Sequence, residues 1–193
     1  PGEPYISSNI NKATASKQIM GSRIPNLYGS FTNDFKYKGF DLSTYLYFSV
    51  GNDIFKNYMY FTHFGALQSN YSKDRLENSW DPVNNPNGIY PLWATSAGEG
   101  AEASNEANST YIQDGSYLRM QTLTFGYTLP QNLLSKLRAE RIRIYGQISN
   151  LFTLTGYDGL DPEVRSSGDF NKGIDYGSYG MPRQFILGLN VTF

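Results

Sequence analysis

The final stretch of the chain, RQFILGLNVTF (Arg183–Phe193), shows most clearly which fold the sequence adopts. From Phe185 onward every second residue is apolar, whereas the residues between them are mostly small or polar. The alternating apolar residues are Phe185, Leu187, Leu189, Val191 and Phe193. Because successive side chains of a β-strand point to opposite faces, this stretch predicts a strand with one wholly apolar face.

Four earlier stretches alternate in the same way. With the final one, they predict five strands at about residues 27–37, 40–50, 116–129, 141–152 and 183–193. Lys38 and Gly39 join the first two strands, which is a β-hairpin signal. In the third strand the apolar parity changes between Met120 and Leu123, which predicts a β-bulge near Gln121. The strands are close to the roughly 9–11 residues that a tilted membrane-spanning strand needs.

The connections between these strands are alternately short and long. The stretch from Gly51 to Gln113 is long and polar, as is the stretch between the last two strands, whereas the other two connections are short. This alternation is typical of outer-membrane barrels, which have short periplasmic turns and long extracellular loops. Five strands cannot close such a barrel, and unpaired backbone groups in lipid are costly, so we expect the C-terminal part of a larger barrel.

Composition excludes several other classes of protein. The net charge is −1 and the isoelectric point is about 5.8, which gives no electrostatic footprint for nucleic acid. The chain contains no cysteine and one histidine, so we expect no metal site and no cofactor. The opening residues, PGEPYISS, have neither the basic nor the apolar region of a signal peptide.

Three motifs resemble a known family. They are DGSYLRMQTLTFGYTLP (Asp114–Pro130), RIRIYGQISNLFTLTGYDGLDPEV (Arg141–Val164) and GIDYGSYGMPRQFILGLNVTF (Gly173–Phe193). In this order and spacing they are similar to SusC/RagA-type TonB-dependent outer-membrane transporters. The resemblance implies an all-β fold, a transmembrane antiparallel β-barrel of 22 strands with an internal plug. Residues 1–193 would be the C-terminal segment of that barrel domain, with the plug domain absent.

The resemblance also implies a function, which is not enzymatic. It implies TonB-dependent uptake of a nutrient oligomer across the bacterial outer membrane, in contact with outer-membrane lipid. We expect a glycan substrate first and a peptide second. A SusD-like surface lipoprotein would be a partner, and TonB would act through an N-terminal part of the transporter. In such barrels a terminal aromatic residue serves as an assembly signal, a role that would fall to Phe193.

Three aromatic residues in the long second connection are candidates for contact with substrate or partner. Trp80, Tyr90 and Trp93 lie among proline, asparagine and glycine residues. Exposed rings of this kind stack on sugars or grip a partner surface. The alternative is that they form a small core of the loop itself.

A second set of candidates consists of charged residues near the predicted periplasmic strand ends, with parity opposite to that of the apolar residues. They are Asp34, Lys36, Asp41, Arg141 and Arg143. A charge facing lipid at mid-depth would cost about 2–4 kcal/mol, so these side chains are expected to face the lumen. They form either a solvated, salt-bridged wall or a contact with the plug.

Farther along, the stretch DGLDPE (Asp158–Glu163) predicts a turn in preference to a calcium site.

Two other classes of protein remain as alternatives. A barrel enzyme would need a catalytic set at the outer rim, for which only His63 is available in this sequence. A soluble β-sandwich adhesin or binding module would bury its apolar faces in a core. Sandwich strands are usually shorter than those predicted here, which favours the membrane barrel.

Overall fold

The computed structural model describes residues 19–63, 70–90, 109–137, 139–164 and 171–193. The strands are β1 (Leu27–Tyr37), β2 (Phe40–Val50), β3 (Asp53–Phe55), β4 (Ile112–Asp114), β5 (Tyr117–Thr128), β6 (Arg141–Thr155) and β7 (Gln184–Thr192). The helices are α1 (Met59–Thr62), α2 (Lys73–Glu77), a 3₁₀ turn at Ser109–Tyr111 and α3 (Gln131–Leu137). No described helix has the length and apolar character needed to cross a membrane.

The five long strands form one antiparallel sheet in the order β1-β2-β5-β6-β7. Their bounds lie close to those expected from the alternation, and the largest difference is that β6 continues to Thr155. β3 and β4 pair separately as a two-stranded sheet that the alternation did not predict. The long connections leave one end of the large sheet, after β2 and β6, whereas the short ones join strands at the other end.

The register of the large sheet collects the apolar residues on one face. Phe40 lies opposite Tyr127, Leu42 opposite Phe125, and Phe48 opposite Leu118. Phe185 and Leu189 continue the same face beside Ile148 and Ile144 of β6. We call this the apolar face, and we call the other side, which carries Asp41, Arg119 and Arg143, the polar face. Many side chains of the apolar face are open, with Leu187 89% exposed and Phe185 72% exposed.

A bulge at Gln121 keeps the apolar residues of β5 on that face, as the change in parity predicted. Met120 pairs with Leu46 and Thr122 pairs with Tyr45, so Gln121 has no partner on β2. On the other side, Asn150 and Leu151 oppose the same residue. Asn150 has a φ of 54°, a conformation that asparagine tolerates, and its side chain donates to the Pro182 carbonyl at 3.0 Å.

The two short connections differ in structure. Lys38 and Gly39 both have positive φ, 46° and 89°, as a two-residue type I′ turn requires. A Cβ at Gly39 would also lie 2.8 Å from the Thr128 carbonyl oxygen, so glycine is needed there for space as well as conformation. The connection from β5 to β6 contains α3 and buries Leu134, which is 2% exposed.

The chain divides into two compact units, which are described separately. The sheet unit comprises Ile24–Asp53, Asp114–Glu163 and Tyr179–Phe193. The loop unit comprises Pro1–Arg23, Ile54–Gln113 and Val164–Ser178. Its described core consists of Met59, Tyr90 and Tyr111. Phe55 and Tyr58 pack against this core, and Phe55 lies 5.3 Å from Tyr111 between ring centroids.

Candidate functional site

Among the described residues of the sheet unit, the most deeply buried charge is Arg119, on the polar face of β5. Only 2% of this residue is exposed. Its Nη2 lies 2.5 Å from Asp161 Oδ1, its Nη1 lies 2.9 Å from Glu163 Oε2, and its Nε donates to Thr153 at 2.9 Å. A buried guanidinium is tolerated only when its donors are satisfied in this way. We call Arg119, Asp161 and Glu163 the Arg119 clamp.

The Arg119 clamp fixes the connection between β6 and β7 to the sheet. Asp161 Oδ1 also accepts from the backbone N–H of Glu163 at 2.9 Å, and Asp161 Oδ2 accepts from that of Met181 at 2.8 Å. One carboxylate therefore ties both the start and the end of the connection. Two of the three acidic residues that sequence reasoning considered for calcium in Asp158–Glu163, namely Asp161 and Glu163, are hydrogen-bonded to arginine instead. Among the described residues no group of three potential ligands could hold a metal ion.

Sequence reasoning missed Arg119 as a site residue. Its partners lie more than forty positions away in the chain, beyond the reach of any local pattern. One signal was available, because Arg119 has the polar parity of a strand in a stretch without acidic neighbours in sequence. A strand arginine such as Arg119 needs a counter-charge if it is buried, and the next acidic residues outside the strands include Asp161 and Glu163, after the following strand. That combination indicates a long-range ion pair.

A second ion pair crosses the polar face near the short connections. Arg143 Nε donates to Asp41 Oδ1 at 2.9 Å, and Nη2 donates to Oδ2 at 2.5 Å. The two residues lie on β6 and β2, and Gly126 of β5 passes between them. A Cβ at Gly126 would lie 2.5 Å from the guanidinium and 2.6 Å from the carboxylate, so the pair depends on this glycine.

This ion pair is one wall of an open depression of about 400 Å³ on the polar face. We call it the basic pocket, and its lining residues are Lys36, Asp41, Arg141, Arg143, Asn190 and Thr192. Four of the five charged residues predicted to face the lumen line it, whereas Asp34 does not. Within the described ranges, Lys36 and Arg141 form no ion pair. Contact of these residues with a plug stays a prediction.

The aromatic candidates lie in the loop unit. Tyr90 is only 6% exposed, and its hydroxyl donates to Asp74. Its ring lies 5.2 Å from that of His63, and it packs with Met59 and Tyr111 in the described core of the loop unit. Trp80 is partly exposed, and its backbone N–H donates to the Tyr90 carbonyl at 2.8 Å. Trp93 lies outside the described residues.

His63 is buried beside the Tyr90–Asp74 pair. Its Nδ1 lies 2.8 Å from Thr62 Oγ1, and its Nε2 lies 3.1 Å from Ser72 Oγ and 3.4 Å from Asp74 Oδ2. Burial lowers the pKa of His63, against the opposing effect of Asp74. Hydrogen bonds from Tyr90, Asn78 and His63 lower the pKa of Asp74. Ser72 and Asp74 both approach Nε2 of His63. In a catalytic triad the nucleophile and the orienting carboxylate contact different nitrogens of the histidine ring, so these three residues do not have the geometry of such a triad.

Phe193 follows β7 and continues its apolar parity. Its side chain is 83% exposed, so packing within the described chain does not account for it. The preceding residue is held in place, because the Thr192 carbonyl accepts from the backbone N–H of Glu140 at 2.8 Å. The role of Phe193 as an assembly signal stays a prediction.

Comparison with known proteins places this geometry in a family. No protein-family model matches the chain. The chain is 35% identical, over 97% of its length, to TonB-dependent receptor P3 of Formosa agariphila. It is 31% identical over its full length to TonB-dependent receptor SusC of Bacteroides thetaiotaomicron. It spans only 18% and 16% of these two relatives.

Solved structures give the same assignment. The RagAB peptide importer in its open-open state matches 91% of the chain with a TM-score of 0.73 and 27% identity, over 18% of that protein. The closed-closed state matches equally well. These relatives are receptors and importers, which are not enzymes, in agreement with the expected class. The predicted antiparallel all-β fold is therefore confirmed as part of such a barrel, and the chain belongs to the SusC/RagA type of TonB-dependent receptors.

Proposed function

We propose that the receptor containing this chain imports a nutrient oligomer across the outer membrane of a Gram-negative bacterium, with energy supplied through TonB. The two-faced sheet is the observation that carries this proposal. Its apolar face leaves large side chains such as Phe31 and Leu187 open, 63% and 89% exposed, and acyl chains of lipid would cover them. Its polar face, with the Arg119 clamp and the basic pocket, suits the water-filled interior of a barrel.

The substrate we propose first is a glycan. Trp80 supports this choice because it is a partly exposed indole in a loop rich in asparagine and proline, where a ring can stack on a sugar. A peptide is the second candidate, and the observation that favours it is the likeness to the RagAB structures, which are described as a peptide importer.

We propose two protein partners. A SusD-like surface lipoprotein would cover the outer side of the receptor, which the relationship to SusC and RagAB supports. TonB would act through an N-terminal part of the longer receptor. The charged residues of the polar face would contact an internal plug, and Phe193 would act as the assembly signal. The 22-stranded barrel, with residues 1–193 as its C-terminal segment, belongs to the same proposal.

Uptake by cells tests the proposal. Cells that lack the complete receptor would be supplied with it again and given fluorescently labelled oligosaccharides or oligopeptides of matched length. We expect restored uptake of the oligosaccharides, which collapses when the proton-motive force is dissipated. Energy-dependent uptake of peptides alone would favour the second candidate. Equal uptake with and without the receptor would contradict import by this protein.

Purification of the complete receptor in detergent tests its partners. We expect a surface lipoprotein to co-purify with it, and we expect Trp80→Ala to weaken oligosaccharide binding without loss of that lipoprotein. The matched control is Tyr60→Ala, which removes another partly exposed aromatic ring of the loop unit. An equal loss of affinity in both variants would contradict a stacking role for Trp80.

A further inference from the structure

Three tyrosines lie together on the polar face, between the middle of the sheet and the end from which the long connections leave. Tyr45 and Tyr47 are successive residues of β2 on this face, so about 7 Å of strand separates them. Tyr28 of β1 is opposite Ser49 and therefore diagonal to Tyr47, within the reach of an aromatic side chain. We call Tyr28, Tyr45 and Tyr47 the tyrosine patch.

The side chains of the tyrosine patch are accessible and their polar groups are unused. Tyr28 is 66% exposed, and Tyr45 and Tyr47 are partly exposed. In the described part of the chain, no hydrogen bond engages any of their three hydroxyl groups. Each tyrosine thus offers a ligand both a flat apolar ring and a hydroxyl that donates and accepts hydrogen bonds.

The Arg119 clamp helps to hold Tyr47 in position. Tyr47 is opposite Arg119, and its ring centroid lies 5.9 Å from that of Tyr117. Tyr117 is only 8% exposed, and the guanidinium carbon of Arg119 lies 5.5 Å from its ring centroid. Because Arg119 is itself fixed by two carboxylates, the tyrosine ring above it has a firm support. A ring that is already positioned loses little freedom when a ligand binds to it.

The neighbours of the tyrosine patch favour an uncharged ligand that is rich in hydroxyl groups. The cross-strand partners of its three tyrosines are Ser30, Thr32, Ser49, Thr122 and Arg119. Four of these five carry a hydroxyl group, and the charge of Arg119 is already engaged by the carboxylates of the clamp. The patch therefore has no uncompensated charge with which to pair an acidic sugar or a charged peptide side chain.

We propose that the tyrosine patch binds a neutral oligosaccharide, with successive sugar rings stacked on Tyr45 and Tyr47. The inference rests on the proposed function, because it takes the polar face to be the interior wall of the barrel and a glycan to be the substrate. A neutral sugar ring has an apolar C–H face and a rim of hydroxyl groups, which match an aromatic ring set among serine and threonine. An extended peptide turns its side chains to alternate sides and offers no such row of flat surfaces.

Protection from chemical labelling tests whether an oligosaccharide covers the patch. Thr32→Cys places a thiol opposite Tyr45 and leaves all three rings intact, in a chain that has no cysteine of its own. The complete receptor, purified in detergent, would be treated with a maleimide, and modification of residue 32 would be followed by mass spectrometry. The ligands would be neutral gluco-, manno- and xylo-oligosaccharides, an oligouronate and an uncharged peptide, all of matched length.

We expect at least one neutral oligosaccharide to slow the labelling of Thr32→Cys, and the oligouronate and the peptide to have no such effect. At about ten times the concentration that gives half of the protection, the rate should fall about tenfold, because only the unoccupied site reacts. Lys73→Cys, at an exposed position of the loop unit, is the matched control, and its labelling should not change with any ligand.

Ring variants in the Thr32→Cys background make the test specific. Tyr45→Phe keeps the flat ring, so the affinity for the protecting oligosaccharide should fall less than about threefold. Tyr45→Leu keeps an apolar side chain without a ring, and the affinity should fall about five- to tenfold, as expected for one stacked aromatic group. Tyr145→Leu is the matched control, because Tyr145 lies on the same face but beside Arg143, near the short connections. It should leave the affinity unchanged.

Three results would overturn the proposal. A thiol at residue 32 that does not react at all would show that another part of the receptor covers the patch. Labelling that no neutral oligosaccharide slows, or that the peptide slows equally, would show that the patch does not hold a neutral glycan. Equal losses of affinity in Tyr45→Leu and Tyr145→Leu would show binding elsewhere on the receptor. Each result is read at residue 32 and not from uptake, so a receptor that imports oligosaccharides but fails here would contradict this inference alone.

Discussion

At the scale of single residues, the polar face depends on charges that are held by partners distant in sequence. The two terminal nitrogens of Arg119 find acceptors because Asp161 and Glu163 lie against it after β6, and its Nε donates to Thr153 of β6. Arg143 is less deeply buried, with 18% of its side chain exposed, and it pairs with Asp41 across an intervening strand. The two ion pairs should therefore differ in how much they stabilise the protein.

Arg119→Gln should destabilise the receptor strongly. It leaves two carboxylates against a buried site without their cation, a change that typically costs about 3–5 kcal/mol. Arg143→Gln is the matched control, and its cost should be nearer to about 1 kcal/mol because water reaches that pair. Thermal unfolding of the purified receptor in detergent would measure both. Equal shifts in the unfolding midpoint would contradict the special position of Arg119.

Gly126→Ala should disturb the Asp41–Arg143 pair without changing any charge. The new methyl group would lie 2.5 Å from the guanidinium, so the two side chains of the ion pair must move apart, at a cost of no more than about 1 kcal/mol, the value of a pair that water reaches. Gly146→Ala is the control on the neighbouring strand, since its Cβ would meet only Leu187 at 3.6 Å. The unfolding midpoint should fall for Gly126→Ala and stay nearly constant for Gly146→Ala. A larger fall of the midpoint for Gly146→Ala than for Gly126→Ala would show that the lack of space at Gly126 does not affect stability.

At the scale of structural elements, the loop unit contains a buried histidine, His63. Burial lowers the pKa of His63 from its usual 6.5, so the folded loop favours the neutral ring. Stability is then complete above about pH 6.5 and is lost as the pH falls below it, because the unfolded chain binds a proton more readily. Lys56 and Arg75 add to this effect, whereas Asp74 opposes it.

Hydrogen–deuterium exchange would measure this pH dependence. Once rates are corrected for intrinsic exchange, α1 and α2 should exchange faster at about pH 5.5 than at about pH 7.5. In His63→Asn the difference should largely vanish, since no group then titrates in that window. β5 and β6 of the sheet unit provide the internal control. Equal pH dependence in the loop and in these strands would argue against His63 as the cause.

Some of these structural elements could be predicted from the sequence and others could not. The five long strands and the Gln121 bulge could be predicted, because alternation is a local pattern that the sheet register preserves. The pairing of β3 with β4 could not be predicted, since each has three residues and they lie far apart in the chain. α3 was overlooked inside a short connection, and the left-handed Asn150 has no pattern of its own.

For the candidate sites too, local patterns could be predicted from the sequence, whereas long-range contacts could not. Parity alone assigned Lys36, Asp41, Arg141 and Arg143 to one face, and the structure gathers all four around one pocket. Parity could not show that Asp41 pairs with Arg143, because that depends on which strands are neighbours and on a glycine between them. Tyr90 was grouped with exposed rings by its polar surroundings in sequence. Its burial against His63 depends on contacts that composition does not reveal.

At the scale of the whole molecule, the proposal requires the two faces of the sheet to lie in different solvents. Adjacent residues of β7 allow this to be tested. Leu187 points to the apolar face, opposite Gly146, whereas Ile186 points to the polar face, opposite Gln147. Both residues are apolar and exposed: Leu187 is 89% exposed and Ile186 is 41% exposed.

Leu187→Lys should impair insertion of the receptor, and Ile186→Lys should not. A lysine near the middle of a lipid-facing strand costs about 2–4 kcal/mol, whereas the same residue on the lumen side remains hydrated. The amount of folded receptor in purified outer membranes, measured by heat-modifiable gel migration, would separate the two variants. If the apolar face packed instead against a soluble partner, both proteins would remain extractable without detergent. That result, or equal insertion of the two variants, would contradict the membrane orientation on which the proposed function depends.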